Sequence, residues 1–315
     1  MTKYPRTFLF AAALIAAAAP LSAQKHKGRH GSADDGRTSR IDTTLSVSRT
    51  PTVDLSLISG DIKVTSWEKN EVRIIATSDE GDLRLEASSS RVSLTMDEDY
   101  SDGDGDTKYE VTVPKGARVI AGSVSGNVSV RGVAETEATS VSGDVTVNAI
   151  AGRATIQSVS GELRASDLGG EVRAQNVSGD LEIVGVAGEL SVQTVSGEMK
   201  LRGVKSSYVR AETVSGDLEF DGAVDPKGRY EFHSHSGSVT ITLPRGAGAT
   251  ISVRGFSGDI SSSCEMMLAP NSRTGERSYK STTFTIGGGG ARFTIETFSG
   301  DLQIKGCGNT KSKED

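Results

Sequence analysis

"NVSGDLEIVGVAGELSVQTVSGEMKLRGV", residues 176–204, says one phrase three times. Cut into nonamers, "SGDLEIVGV" (178–186), "AGELSVQTV" (187–195) and "SGEMKLRGV" (196–204) align without gaps. The second, fourth and seventh residues after each Gly are apolar: Leu181, Ile183 and Val186, then Leu190, Val192 and Val195, then Met199, Leu201 and Val204. The first two share one face of a strand, where the side-chain period is two. The third breaks that period, and there the chain must bend. Two nonamers make an 18-residue unit of two short strands and two turns. One nonamer buries too little apolar surface to stand alone, so units stacked on it in parallel supply the rest of the core.

The same turn marks most of the chain. Ser-Gly recurs at Gly126, Gly143, Gly161, Gly179, Gly197, Gly216, Gly237, Gly258 and Gly300, with an early outlier at Gly60. The steps from Gly126 onward are 17, 18, 18, 18, 19, 21, 21 and 42 residues, and the last reads as two turns with one label lost. A fixed period of this size means stacked units. The expected fold is all-β: a parallel β-solenoid of about ten coils of roughly 18 residues, each of two short strands, right-handed by the usual rule for parallel crossovers. Gly is expected at the corner because a tight turn takes positive φ, which Gly adopts without steric cost. The Ser hydroxyl before it suits a bond to nearby backbone, and the acid after it suits solvent.

Composition agrees. The 315 residues are 35% hydrophobic but only 5% aromatic, with 37 Gly and 7 Pro, a profile of many short strands and tight turns. At the N-terminus, Lys3 and Arg6 precede the apolar run "FLFAAALIAAAAP" (8–20), and "LSA" (21–23) suits cleavage after Ala23. This reads as a signal peptide over 1–23, too short to span a bilayer comfortably; the alternative is a membrane anchor. No cysteine follows the run, so a lipidated N-terminus is not expected. Loss of Lys3 and Arg6 takes the net charge from −6 to −8. An acidic chain with scattered basic residues argues against a nucleic-acid partner, and no transmembrane segment is expected in the mature chain.

The rest divides into a flexible polar linker (24–40), an N-terminal β region that caps the stack (41–120), regular repeats (121–263), C-terminal coils and cap (264–308) and a polar tail (309–315). In the N-terminal region "RVSLTM" (91–96) and "KYEVTV" (108–113) flank an acidic tip and read as a hairpin. Cys264 and Cys307 stand six and seven residues past Gly258 and Gly300, equivalent ends of two strands. An even cysteine count in an exported protein permits one disulfide, which would staple the C-terminal cap; two free thiols are the alternative.

At this point the chain resembles the bacterial β-strand-repeat proteins named putative adhesins, a family catalogued mainly as a domain of unknown function. The stretches that carry the likeness are "LISGDIKVTSWEKNEVRIIAT" (57–77), the "VSGD/E" turns between 124 and 217, and "GGGGARFTIETFSGDLQIKG" (287–306). It spans about 41–308. The resemblance implies a β-solenoid, an extracytoplasmic location and no established activity, and it offers no catalytic residue to carry over.

Candidate chemistry is sparse. The residue after each corner Gly runs Asp61, Asn127, Asp144, Glu162, Asp180, Glu198, Asp217, Ser238, Asp259 and Asp301. In register these would form one edge able to attract calcium, the one cofactor considered, although the glycine and aspartate spacing of calcium-binding β-rolls is absent. Asp102, Asp104 and Asp106 match the opening of a calcium loop, but Thr107 stands where its Gly belongs and Val113 where its closing Glu belongs. They are weak calcium candidates, and an acidic tip kept soluble by its charge is the simpler reading. His233 and His235 lie two apart; by repeat alignment His235 points inward or sits at the bend while His233 points out, so the rings diverge and zinc is disfavoured. His26 and His30 fall in the linker. Nucleophile-elbow, zinc-protease and phosphate-loop signatures are missing. The expectation is a non-catalytic protein of the cell envelope or surface, with a protein or glycan partner. A periplasmic envelope-stress component, a self-assembling scaffold and a carbohydrate-active β-helix enzyme are the alternatives.

Overall fold

The structure is a computed structural model and describes residues 38–79, 81–96, 107–268 and 281–306, all within one compact unit, Asp34–Asp315. Among the described residues, 13 strands form one sheet and 14 the other, and no helix occurs. Through the middle the chain alternates between the sheets. Val172–Ser178 lies in one and Leu181–Val186 in the other, and each pairs in parallel with its equivalents one repeat away. The interior between the sheets takes the period-two residues. Leu181, Ile183, Leu190, Val192, Met199 and Leu201 are each fully buried, as are Val186 and Val204 after the bend.

The corner explains the spacing. At Gly179 φ is +114°, and a Cβ there would lie 2.4 Å from the carbonyl oxygen of Gly161 on the adjacent coil. Two constraints therefore select Gly, a backbone angle and a contact. The second corner sits six residues on, where Gly185 has φ 72° and its equivalents Ala149 and Asp167 both have φ 56°. Asp tolerates this left-handed conformation through its short polar side chain, whereas Ala has no such compensation.

Three expectations need correction. Val195 does not point inward: Thr194 does, at 3% exposure, and Val195 is only half-buried. The alternation simply continues to the corner in this strand, so the residue two before Gly faces out. Next, Arg91–Met96 and Thr107–Pro114 are not a hairpin. They lie in different sheets, parallel to Thr52–Ser59 and Asp61–Trp67 respectively, and the Thr107 carbonyl oxygen falls 1.8 Å from where a Gly60 Cβ would be. The two strands stack as a further coil. A corner and a hairpin leave the same local pattern, alternation on both sides of a polar tip, and only partner choice separates them.

Finally, among the described residues the 42-residue step hides no lost turn. Ala291–Ser299 inserts between Arg229–Ser236 and Ala249–Ser257, and Leu302–Gly306 inserts between Val239–Leu243 and Ile260–Ser262. Spatial order thus runs Gly237, Gly300, Gly258, each corner built on the carbonyl of the one before at 2.1 Å from the missing Cβ. Aromatic packing favours this order: Phe293 stacks on Tyr230 with centroids 4.5 Å apart, and Phe220 and Phe232 complete the cluster. The Tyr230 hydroxyl donates to the Ser206 carbonyl (3.1 Å) and accepts the Asp225 N–H (2.9 Å), and burial pushes its pKa upward. Between Ile260–Ser262 and Ala291–Ser299 in sequence, Met267–Leu268 and Ser281–Ile286 add antiparallel strands at the sheet end.

Cys264 is buried at 7% exposure just past the Ile260–Ser262 strand, and no cysteine among the described residues is free. Cys307, residues 1–23 read as a signal peptide, nearly all of the stretch 24–40 read as a linker, and Asp102–Asp106 lie outside the described residues. The Cys264–Cys307 bond is therefore our proposal, and thiol titration of denatured, unreduced protein should find no free thiol. Two thiols per chain would refute it. Corner geometry yields a pair of opposite effects on thermal unfolding. Gly179→Ala should destabilise by about 3 kcal/mol or more, through positive φ and the backbone clash together. Ala149→Gly should stabilise by about 0.5 kcal/mol, since relief of left-handed strain exceeds the entropy glycine adds to the unfolded chain.

Candidate interaction surface

Four residues build each rung of the corner edge, and each has a different task. Three before Gly stands a small polar residue that turns inward: Ser123, Ser140, Ser158, Asn176, Thr194, Thr213 and Ser234 are all buried. Several hold corner carbonyls. Ser140 Oγ donates to the Gly126 oxygen (3.0 Å), and Asn176 Nδ2 to those of Gly161 (3.3 Å) and Gly179 (2.9 Å). Two before Gly stands an apolar residue that turns outward. Ile58, Val124, Val141, Val159, Val177 and Phe298 are between 37% and 49% exposed, with Val195 and Val214 half-buried in the same row. Next comes an exposed Ser, and after Gly the acid.

The acids tie one rung to the next. Asp180 Oδ1 accepts the Glu198 N–H at 3.0 Å, Asp144 Oδ1 the Glu162 N–H at 2.8 Å, Asp217 Oδ1 the Ser238 N–H at 2.8 Å and Asp301 Oδ1 the Asp259 N–H at 3.0 Å. Asp61 and Asn127 do the same for Asn127 and Asp144. A carboxylate at this distance from an N–H makes a charge-assisted bond. The longer Glu162 and Glu198 pair instead with Arg164 and Lys200 two residues on, and the hydrogen bond that Lys200 donates to Glu198 holds the Lys200 pKa up. The short acids Asp61, Asp144, Asp180, Asp217, Asp259 and Asp301 make no ion pair among the described residues, so a negative row runs beside the apolar one.

Among the described residues, no group of three or more His, Cys, Asp or Glu is placed to hold a metal ion. His233 faces outward, with Nδ1 3.2 Å from Glu296 Oε2. It continues a side-chain ladder in which Gln157 donates to Gln175 (3.3 Å), Gln175 to Gln193 (3.1 Å) and Gln193 to Glu212 (3.0 Å). His235 lies in the exposed apolar row at the bend, its ring stacked on Phe298 with centroids 4.8 Å apart. The two hollows best formed on the surface measure about 150 and 190 Å³, small against the 300–1,000 Å³ typical of ligand pockets. Reading the repeat missed both the buried polar column and the exposed row. The signal was present in "SVSG", "TVSG" and "NVSG", where a polar residue always precedes the Val; the Val was simply assigned to the core.

Fold and corner together define a repeat β-solenoid of two parallel sheets. The chain belongs to the Toastrack DUF4097 family, whose model matches residues 103–305. Among solved structures it is similar to a putative adhesin from Bacteroides fragilis NCTC 9343, at 11% identity over 84% of this chain and 96% of that one, with a TM-score of 0.42. A putative adhesin from Parabacteroides distasonis ATCC 8503 is 10% identical over 86% and 98% of the two chains, with a TM-score of 0.39. A putative lipid binding protein from the same organism is 11% identical over 86% and 95%, with a TM-score of 0.36. No curated protein matches the sequence.

The rung-to-rung bonds make a prediction about side-chain length. Asp180→Ala should lower stability by about 1 kcal/mol, Asp180→Asn by less than half of that, and Glu162→Ala by no more than about 0.5 kcal/mol, all measured by urea unfolding. Equal losses at 162 and 180 would mean the bonds are not what distinguishes Asp from Glu here.

Proposed function

We propose that this chain is a non-catalytic, exported protein of the cell envelope that holds a protein or glycan partner along its corner edge. The observation that carries the reading is the row of exposed Val, Ile and Phe, repeated rung after rung beside a row of unpaired carboxylates. Aliphatic residues repeated in one line make a contact surface rather than a reaction site, and exposed apolar stretches rimmed by polar groups suit association. The shallow hollows support the same reading over an enzyme, which needs acid and base groups converging in a cleft. Export follows from the signal-peptide reading of residues 1–23. The reading includes about ten right-handed coils, with the segments at 41–120 and 264–308 as caps.

Two measurements test it. A photo-cross-linking residue at Val159 or Val177 should capture one discrete partner in producing cells, while the same residue at Thr146, on the outer face of the other sheet, should not. Equal labelling at all three positions would refute the corner edge as the contact. Protease shaving of intact cells, with a periplasmic control, separates the surface from the periplasm. Cleavage while the control survives gives a surface protein, and protection until the outer envelope is breached gives a periplasmic one, the setting of an envelope-stress component. Recovery of the uncleaved chain from the cytoplasm would refute export.

A further inference from the structure

The two ends of the sheets are finished differently. At the C-terminal end the outermost strands are short: Ile260–Ser262 has three residues and Met267–Leu268 two. At the N-terminal end the 13-stranded sheet stops at Ser39–Ser46, eight regular residues that among the described residues pair on one side only, with Glu71–Ser78. Over its length this strand carries neither proline, nor bulge, nor an inward charge, and its only charges are the outward Arg40 and Asp42. Its inward residues Ile41 and Leu45 are only half-buried, as are Leu83 and Leu85 across the interior, whereas Val72, Ile74 and Ala76 one strand further in are fully buried. Among the described residues, nothing covers the core at this end.

The phase of the free edge is fixed. The Val47 N–H donates to the Asn70 carbonyl at 3.0 Å, so odd-numbered residues of this stretch turn their backbone groups toward Glu71–Ser78. Arg40, Asp42 and Thr44 therefore turn theirs to the open side. An antiparallel two-fold pairing must set these residues opposite one another. Centred on Asp42 it would oppose two aspartates, and centred on Arg40 two arginines, both unfavourable. Centred on Ile41 it sets Arg40 opposite Asp42 in both directions, Thr38 opposite Thr44, and Ile41 against its own copy over the open core. Arg40 and Asp42 are both exposed, and Asp42 is already oriented by Arg73 at 3.1 Å.

We propose that a second copy of this chain occupies this edge, in an isologous dimer whose two Ser39–Ser46 strands pair antiparallel about Ile41. This goes beyond the functional reading above and does not depend on it. A two-fold contact uses the same edge of both copies, so it closes as a dimer and does not propagate into a fibre.

The test uses the full chain. Sedimentation velocity from micromolar to submillimolar protein should show a species of twice the chain mass, and a monomer throughout would overturn the proposal, as expected if another segment of the chain covers the edge. Arg40→Asp sets like charges opposite each other twice and should weaken dimerisation at least about tenfold, while Arg40→Lys keeps it within about threefold. An unchanged melting temperature shows that Arg40→Asp still folds. Ile41→Cys should cross-link spontaneously under oxidising conditions, since a non-hydrogen-bonded pair sets its Cα atoms about 4.5 Å apart, within disulfide reach. Thr43→Cys should not, because its copy would lie about 13 Å away. A dimer insensitive to Arg40→Asp, or one that cross-links through position 43 instead of 41, would overturn the pairing.

Discussion

The structure depends on how closely two backbones pass at the Ser-Gly corner. A Cβ at Gly126, Gly143, Gly197, Gly216 or Gly237 would fall within 2.3 Å of a carbonyl oxygen on the neighbouring rung, nearer than any side chain can stand. The close approach buries carbonyl groups, and a buried carbonyl without a partner is costly. The inward Ser and Asn residues answer that need in place at Ser123, Ser140, Ser158, Asn176 and Ser234, and the Asp after Gly takes up the next rung's N–H. Glycine, inward hydroxyl and short acid are thus one device. Glycine and acid are tied to an adjacent rung, as are Ser123, Ser140, Ser158 and Asn176 of the inward column, while Thr194 and Ser234 bond carbonyls of their own rung.

That device fixes the spacing of rungs but not their order along the chain. Stacking two rungs requires only that corner meets corner and interior meets interior. Arg118–Ser125 therefore docks on Thr52–Ser59 across an intervening coil of chain, and Ala291–Ser299 enters between strands that precede it by some forty and sixty residues. Side chains decide which docking occurs. At the C-terminal end, Phe293 finds the ring of Tyr230 on one side and the interior face of Ala249–Ser257 on the other. A strand held on both edges and buried on one face contributes to two interfaces at once, so the last rung in sequence closes the end of the stack from within.

The same distinction separates what the sequence disclosed from what it withheld. Interior positions two and four after Gly were legible because burial imposes a period of two and the repeats align without gaps. The corner glycines were legible because no other residue satisfies both the angle and the approach. Partner choice was not: "RVSLTM" and "KYEVTV" alternate as a hairpin would, and only the sheet assignment shows that each pairs elsewhere. The inward polar column escaped for another reason. Ser, Thr and Asn so close to a turn ordinarily mark the turn itself, and a Val beside them ordinarily marks the core. Here the roles are exchanged, since the corner carbonyls need donors and the core does not need the Val.

The exchange bears on function. A residue that packs in the interior is constrained by volume, and one that holds a corner is constrained by backbone geometry. The residue two before Gly is under neither constraint, and its identity moves from Ile58 through the valines to His235 and Phe298 while glycine stays fixed beside it. Solvent alone would favour polar side chains there, because every exposed valine leaves apolar surface in water at a cost. Strand preference and rung-to-rung packing offset part of that cost for half-exposed valines. In the proposed function the row gains a further use as a contact surface, and the carboxylates alongside would add polarity and charge to it without loosening the stack that carries it.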